Sequence, residues 1–328
     1  MRRASITPKR LDANVLSEKP SRDQNFRFSG HQTFPLRITW IPKAVAAIVA
    51  GYDPLTNIDE GITKLGLGKN MVEALRCWIE TYQIADWTKG TWKLTTIGDI
   101  IFNPATGLDP YLEDISTSWL LHWLITTNGK APFFAWECLF KRWPATEFSA
   151  SQVLDAFEKE SNKMPKPVST VTLRQHWEIF LHTYRPSSNG KGEDQLDSAL
   201  SILRLIVDFD ERPSANGKWE TVYSFNVGRK RTISQQLFAF FVHEWWNRCC
   251  PQERTVPLRE FMFGKNSIGR ILKMSESEIL HRLNDLALLS EETFQIVEST
   301  NLRQLHRHRQ TNGLAELRAA YKTPTFID

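Results

Sequence analysis

Three runs of this chain are apolar on nearly every side that a helix could present: TSWLLHWLI at 117–125, APFFAWECLFKRW at 131–143 and QQLFAFFVHEWW at 235–246. A helix without a polar stripe has to be covered all round. None of the runs reaches the roughly 20 apolar residues that cross a bilayer, so the cover must be protein. The runs are therefore expected to be core helices shared by whatever smaller units surround them. A chain of 328 residues allows two or three such units. Its 41% hydrophobic and 24% charged content is that of a globular protein, and 12 Trp and 19 Phe have to be packed somewhere. The first residues, MRRASITPKRLDANVLSEKPSRDQN, carry no apolar stretch of a signal peptide. A cytoplasmic location is the expectation.

The clearest local pattern lies at 57–102. Ile58, Ile62 and Leu65 share a helical face, Gly66 can take the left-handed conformation that stops the helix, and Val72, Leu75, Ile79 and Tyr82 restart the period. The sequence Trp87-Thr88-Lys89-Gly90-Thr91-Trp92 then reads as a short hairpin with a Lys-Gly turn. Helix, turn, helix, hairpin is the winged-helix order. It recurs from Phe148: Ser149 and Gln152 predict a capping box, Phe148 and Val153 a hydrophobic staple, and the helix runs to about Lys163. Ser169 or Thr170 caps a second helix carrying Leu173, Trp177, Phe180 and Tyr184. A glycine-rich loop at 187–192, an amphipathic stretch to Val207 and a hairpin with Asn216-Gly217 at its tip follow. A third copy is predicted from a helix at Ser267 to Lys273, a capping box of Ser275 and Glu278 with the staple Met274 and Ile279, and a strand from Thr293 to Val297.

The fold class predicted is mainly α, with tandem winged-helix or helix-turn-helix modules, small β wings and shared aromatic core helices. The expected division is a flexible basic arm at 1–25, a first winged-helix module at 26–105, core helices with a second module at 106–228, and a basic helical module with the third helix-turn-helix at 229–328.

Charge is modest overall, +4, but unevenly placed. Arg229 to Lys273 holds nine Lys/Arg against three Glu, and Met1 to Lys43 holds nine against three acids. Distribution of this kind is what makes an electrostatic footprint for nucleic acid. Cys77, Cys138, Cys249 and Cys250 lack CxxC spacing and suit neither a disulfide framework nor a zinc cage. No metal or cofactor is expected.

The strings FSGHQTFPLR at 28–37 and LGLGKNMVEALRCWIE at 65–80, with GHxTF and LGxGKNM at their centres, resemble a family of bacterial proteins without assigned biochemical activity. The likeness continues through GLDPYLEDISTSWLLHWL at 107–124, GEDQLDSAL at 192–200 and NLRQLHR at 301–307. Members of that family are often encoded beside genes for Dnd-type DNA phosphorothioation, in which a cysteine desulfurase and a reductase-like sulfurtransferase place sulfur on the DNA backbone. The resemblance implies a defence context, not a reaction. In the block at 192–200 the family pattern has Ser and a Cys-Pro-Leu run where this chain has Gln195 and Ser198-Ala199-Leu200. That departure argues against a catalytic role for the block.

Lys69 and Asn70 open the second predicted helix, where free N–H groups and the helix dipole favour phosphate and an asparagine can read adenine. Lys64 and Arg76 flank them, and Lys89 and Lys93 belong to the hairpin. Glu73 and Glu80, near the exposed face of the same helix, would repel DNA. Arg303, Arg307 and Arg309 are read, with His306 and His308, as a basic surface; the i, i+2 spacing of the two histidines does not place both on one helical face. From the family motif, Gly30, His31, Thr33, Phe34 and Arg37 stand out, and His31 is read either as a general base or partner anchor or as a structural histidine tying the arm to the first core. Gly66-Leu67-Gly68-Lys69 lacks the spacing of an ATP phosphate loop, and nucleotide hydrolysis is not expected. Glu193, Asp194 and Asp197 are read either as a divalent-metal cluster or as the acidic first turn of a helix.

The function expected is a DNA-binding accessory or targeting subunit of a phosphorothioation-type modification or defence system, and not an enzyme. Its partners would be duplex DNA and the sulfurtransferase or other proteins of that complex. The alternatives are a protein-binding scaffold that docks the sulfurtransferase without touching DNA, and a nuclease or modifying enzyme using His31 and the acidic cluster.

Overall fold

The computed structural model describes residues 26–130, 132–185, 198–214, 217–289, 293–299 and 302–322. The predicted arm, the glycine-rich loop, the cluster Glu193, Asp194 and Asp197, Gln195 and the hairpin residue Asn216 lie outside them. The described residues are mainly helical, with three small antiparallel sheets. None of their helices is long and apolar enough to cross a membrane.

The first stretch runs α1 (Trp40–Val49), α2 (Ile58–Leu65), α3 (Lys69–Thr81), the hairpin β1 (Ala85–Thr88) and β2 (Thr91–Leu94), then α4 (Thr96–Phe102). Asn57 caps α2 through Glu60 N, and Gly66 ends it at φ 65°. Val72, Leu75, Ile79 and Tyr82 are buried as their period predicts, but Ile62 is 40% exposed. The buried position on that turn is Gly61 instead, where a Cβ would stand 2.3 Å from Pro54 O.

The apolar runs do form the centre. Helix α5 (Ile115–Thr127) buries every residue from Ile115 to Thr126. The run at 131–143 starts as the short α6 (Phe134–Trp136) but widens into a π-helical turn over Glu137–Arg142. It is not a plain apolar helix: Glu137, Lys141 and Arg142 are buried in ion pairs with one another. The predictions for the next unit hold in part. Both arms of the Ser149 and Gln152 capping box form on α7 (Ala150–Ser161), and Ser169 caps α8 (Thr170–Tyr184). Of the stretch approaching Val207, expected to be amphipathic, the described residues form a 3-10 turn at Ser201–Leu203 followed by a strand. That strand, β4 (Ile206–Pro213), pairs with β5 (Trp219–Phe225), which also takes β3 (Glu147–Ser149).

The last stretch holds α9 (Gln235–Cys249), β6 (Thr255–Pro257), α10 (Leu258–Phe263), α11 (Ile268–Leu272), α12 (Glu276–Leu289), β7 (Phe294–Ser299), β8 (Leu302–Arg307) and α13 (Leu314–Ala320). Ser275 accepts from Glu278 N at 3.3 Å, as a cap should. The Glu278 carboxylate takes Arg282 at 2.6 Å, so only that half of the predicted box is seen.

The buried His122 on α5 is hydrogen-bonded in fixed directions. Ile271 O can only accept, so His122 Nε2 at 2.8 Å carries the proton. Its Nδ1 therefore accepts from the Tyr184 hydroxyl at 2.7 Å, and Trp136 Nε1–H donates to the same hydroxyl at 2.9 Å. This chain links α5, α6, α8 and α11. Burial pushes the His122 imidazole down from 6.5 to about 3. The unfolded chain thus binds a proton near pH 6.5 that the folded chain excludes, and stability is full above that pH and falls as pH drops toward 3. At about pH 5 this ring alone removes roughly 2 kcal/mol. Denaturant unfolding as a function of pH should show the loss, and a His122→Gln variant should lose about one proton of linkage across that interval. An unchanged slope in the variant would contradict the assignment.

Candidate nucleic-acid interface

Helices α2 and α3 meet at a turn of residues 66–68, and Gly68 begins α3 without a side-chain cap. The first N–H groups of this 13-residue helix are thus left to solvent or to an anion. Lys69 and Asn70 occupy its first turn and are exposed, as are Lys64 at the end of α2 and Arg76 one face along. Lys64 Nζ lies 3.8 Å from the centre of the Tyr52 ring. Arg76 pairs with Glu80 at 3.1 Å and sits 5.9 Å from the ring of Trp92, which ties α3 to the hairpin. Glu73 accepts from Gln32 Nε2 at 2.9 Å, so one of the two acids expected to repel DNA is engaged by the loop at 30–34.

In the hairpin the pairs Trp87↔Trp92 and Thr88↔Thr91 close on a two-residue turn. Both turn residues have positive φ, Lys89 at 53° and Gly90 at 80°. Glycine takes this conformation freely, whereas lysine does so at a cost of about 1–2 kcal/mol. Lys89 and Lys93 are exposed. Lys93 stands opposite Asp86, whose carboxylate is 3.6 Å from Lys130.

The C-terminal arginines do not make the single basic surface expected. Strand β8 places His306 two residues from His308, and alternation brings their rings to 6.3 Å, which a helix would have prevented. Arg303 is exposed and pairs with Glu298 at 3.0 Å, and Arg309 is exposed beyond the strand. Arg307, however, is buried: it donates to Asn247 Oδ1 at 2.8 Å and Pro251 O at 2.9 Å and lies over the Trp246 ring. The basic run 229–273 is likewise turned partly inward. Lys230 and Lys273 are buried, with Nζ on Asn226 O and Leu139 O, and Arg270 donates to Phe263 O and Lys141 O. These cations are engaged by backbone carbonyls, so the clustering read from sequence overstates the surface charge.

The glycine–histidine motif is structural in its geometry. Gly30 has φ 113°, and a Cβ there would meet Arg27 Nη2 at 2.6 Å and Cys77 Sγ at 3.1 Å. His31 is buried, nearly coplanar with His176 with ring planes 7° apart, and stands 6.0 Å from Trp78. Ala135 N–H donates to His176 Nε2 at 3.0 Å, so the proton of that neutral ring is on Nδ1, which donates to His31 Nε2 at 3.1 Å. His31 Nδ1–H then donates to Gln32 O at 2.8 Å. Burial, the largest effect, holds both imidazoles below their ordinary value, and the Gln32 carbonyl opposes it only in part for His31. Neutral rings with every nitrogen engaged are poorly placed to act as bases. Phe34 O accepts from Trp78 Nε1 at 3.0 Å, Thr33 is exposed, and Arg37 bridges to Ser198 and lies 5.8 Å from the Trp40 ring.

Sequence reasoning missed His176, whose partner is 145 residues away, and the acid Glu137. Burial alone pushes the Glu137 carboxyl up, but Lys141, Lys265 and Arg142 outweigh it and hold it at about 2. A charged triplet in an otherwise apolar run was the available signal. Among the described residues no group of three or more His, Cys, Asp or Glu is placed to hold a metal ion.

No curated protein matches the chain. Its fold is similar to that of a crystal structure of SspB, with a TM-score of 0.78 at 21% identity, over 91% of this chain and 88% of that chain. A magnesium ion-bound SspB crystal structure is similar to the same degree, with a TM-score of 0.77 at 21% identity and 91% of each chain covered. At residues 28–321 the sequence matches the family described as "Protein of unknown function (DUF4007)", and the chain belongs to that family.

Proposed function

We propose that the protein grips duplex DNA with a winged-helix module formed by α2, α3 and the β1–β2 hairpin, as an accessory or targeting subunit of a phosphorothioation-type modification or defence system. The system is inferred from the sequence resemblance, and the grip from geometry. The observation that carries the grip is Lys89. A lysine held at φ 53° on a hairpin tip, where asparagine or glycine would be less strained, carries a stability cost. Its charge is the property that offsets that cost. Lys69 at the uncapped start of α3 supplies a second phosphate contact, and Asn70 beside it meets a base edge in this reading. Lys64 and Lys93 extend the same unit, with Arg76 partly held by Glu80.

Binding of this kind is salt-dependent. With about three to six phosphates neutralised, log K should fall against log salt with a slope of roughly −3 to −5, and Lys69→Ala should reduce that slope by about 1. Asn70→Ala should instead change sequence preference. A protein that shifts no short duplex at low salt, yet releases a co-purifying protein on Lys69→Glu, is the scaffold rather than the DNA binder.

The strain argument gives a second test. Lys89→Asn should raise stability to unfolding by up to about 1 kcal/mol, because asparagine tolerates the left-handed region. The same variant should bind duplex DNA several-fold more weakly. Loss of stability, or unchanged affinity, would count against a role for Lys89 in the grip.

A further inference from the structure

Most of the 12 tryptophans are buried, but Trp87 is 42% exposed and Trp219 is 72% exposed. An indole left partly in water keeps a face available, and its neighbours decide what that face can meet. The neighbours of these two differ in charge. Trp219 opens β5 beside β4, whose charged residues are Asp208, Asp210, Glu211 and Arg212, and Arg212 is turned to Glu220 and Gln152. A polyanion is repelled there.

Trp87 stands instead on the hairpin of the proposed DNA grip, two residues before Lys89. Its cross-strand partner is Trp92, with ring centres 5.6 Å apart. Trp92 is buried and fixed by its Nε1–H, which donates to Thr56 Oγ1 at 3.0 Å, so the outer ring has a firm backing. Strand alternation puts both rings on one face of the hairpin and Asp86, with Lys93, on the other. The acid nearest in sequence therefore points away from the Trp87 indole. Arg76 of α3 lies 5.9 Å from the Trp92 ring, so the face that carries the rings is the one turned toward α3. Arg76 is held by Glu80 only in an exposed pair, of the kind that contributes little.

Phosphate contacts do not tell a paired strand from an unpaired one. A ring does. In a continuous duplex each base has both faces covered by its neighbours, whereas a single-stranded extension leaves base faces open to stack on an aromatic side chain. We infer that Trp87 stacks on an unpaired base, and that the preferred ligand of this module is a duplex with a single-stranded extension rather than a continuous duplex. The inference rests on the proposed grip of α3 and the hairpin, which supplies the phosphate contacts on the duplex side.

The test is titration of the full chain, followed by fluorescence anisotropy, with a short labelled blunt duplex and with the same duplex carrying a single-stranded thymidine extension. The extension should tighten binding about fivefold or more, and Trp87→Leu should bind both DNAs alike. Tryptophan emission gives a second reading. The extended DNA should quench it more than the blunt duplex does, and this difference should vanish in Trp87→Phe, which keeps an aromatic cross-strand pair. Melting curves establish that the variants fold, and if Trp87→Leu does not, emission of Trp87→Phe decides. An extension that helps only by adding phosphates would keep its gain in Trp87→Leu. That result, or equal affinity of the unaltered protein for both DNAs, overturns the inference and leaves the duplex grip standing. Binding of the extended DNA that is lost in Trp87→Leu, with none of the blunt duplex, supports the stacking and overturns the duplex grip. Binding of neither DNA overturns both.

Discussion

The structure depends on the need to satisfy the imidazole nitrogens buried inside helices that have no outward face. Helix α5 is buried from Ile115 to Thr126, yet it contains His122. An imidazole there is tolerable only if both nitrogens are bonded, and they are, to Tyr184 and Ile271 O. The same requirement acts on His176, which takes Ala135 N–H and hands its own proton to His31. Each chain of bonds has one direction and no spare partner. Together they fix α5, α6, α8, α11 and the loop at Gly30 against one another more specifically than ring packing could. The aromatic rings around them, Trp78, Phe133 and Trp136 among others, supply burial but little direction.

Local chemistry was legible in the sequence where it acts over a few residues. The Ser149 and Gln152 box, the Gly66 stop and the Lys89-Gly90 turn are written in adjacent positions and appear as read. What escaped reading depends on distance along the chain. Nothing near His31 announces His176, and nothing near Glu137 announces Lys265, because tertiary packing decides those meetings. Strands were harder than helices: β8 pairs with β6 as well as β7, so residues taken for a basic surface became partners in a sheet. Ile62 shows the limit of periodicity, since the close approach of Pro54 to Gly61 turned α2 away from the face that its apolar residues suggested.

Charge shows the same division. Counted along the chain, 229–273 looks like a footprint for nucleic acid, but Lys230, Lys273 and Arg270 are spent on backbone carbonyls inside the protein. The shorter set on α2, α3 and the hairpin is smaller and faces outward. A DNA-binding reading therefore rests on few residues in an economical arrangement. The family to which the chain belongs carries no assigned activity, and its likeness to SspB concerns fold, so the reading stands on that surface and on the sequence resemblance.

The most direct measurement is hydrogen exchange of the full chain with and without a short duplex. The proposed grip predicts slowed exchange confined to the amides at the start of α3 and at the Lys89-Gly90 turn, while the amide of Phe34, which donates to His31 O, exchanges alike in both states. Protection absent from α3 and the hairpin, or centred on the C-terminal sheet, would contradict it.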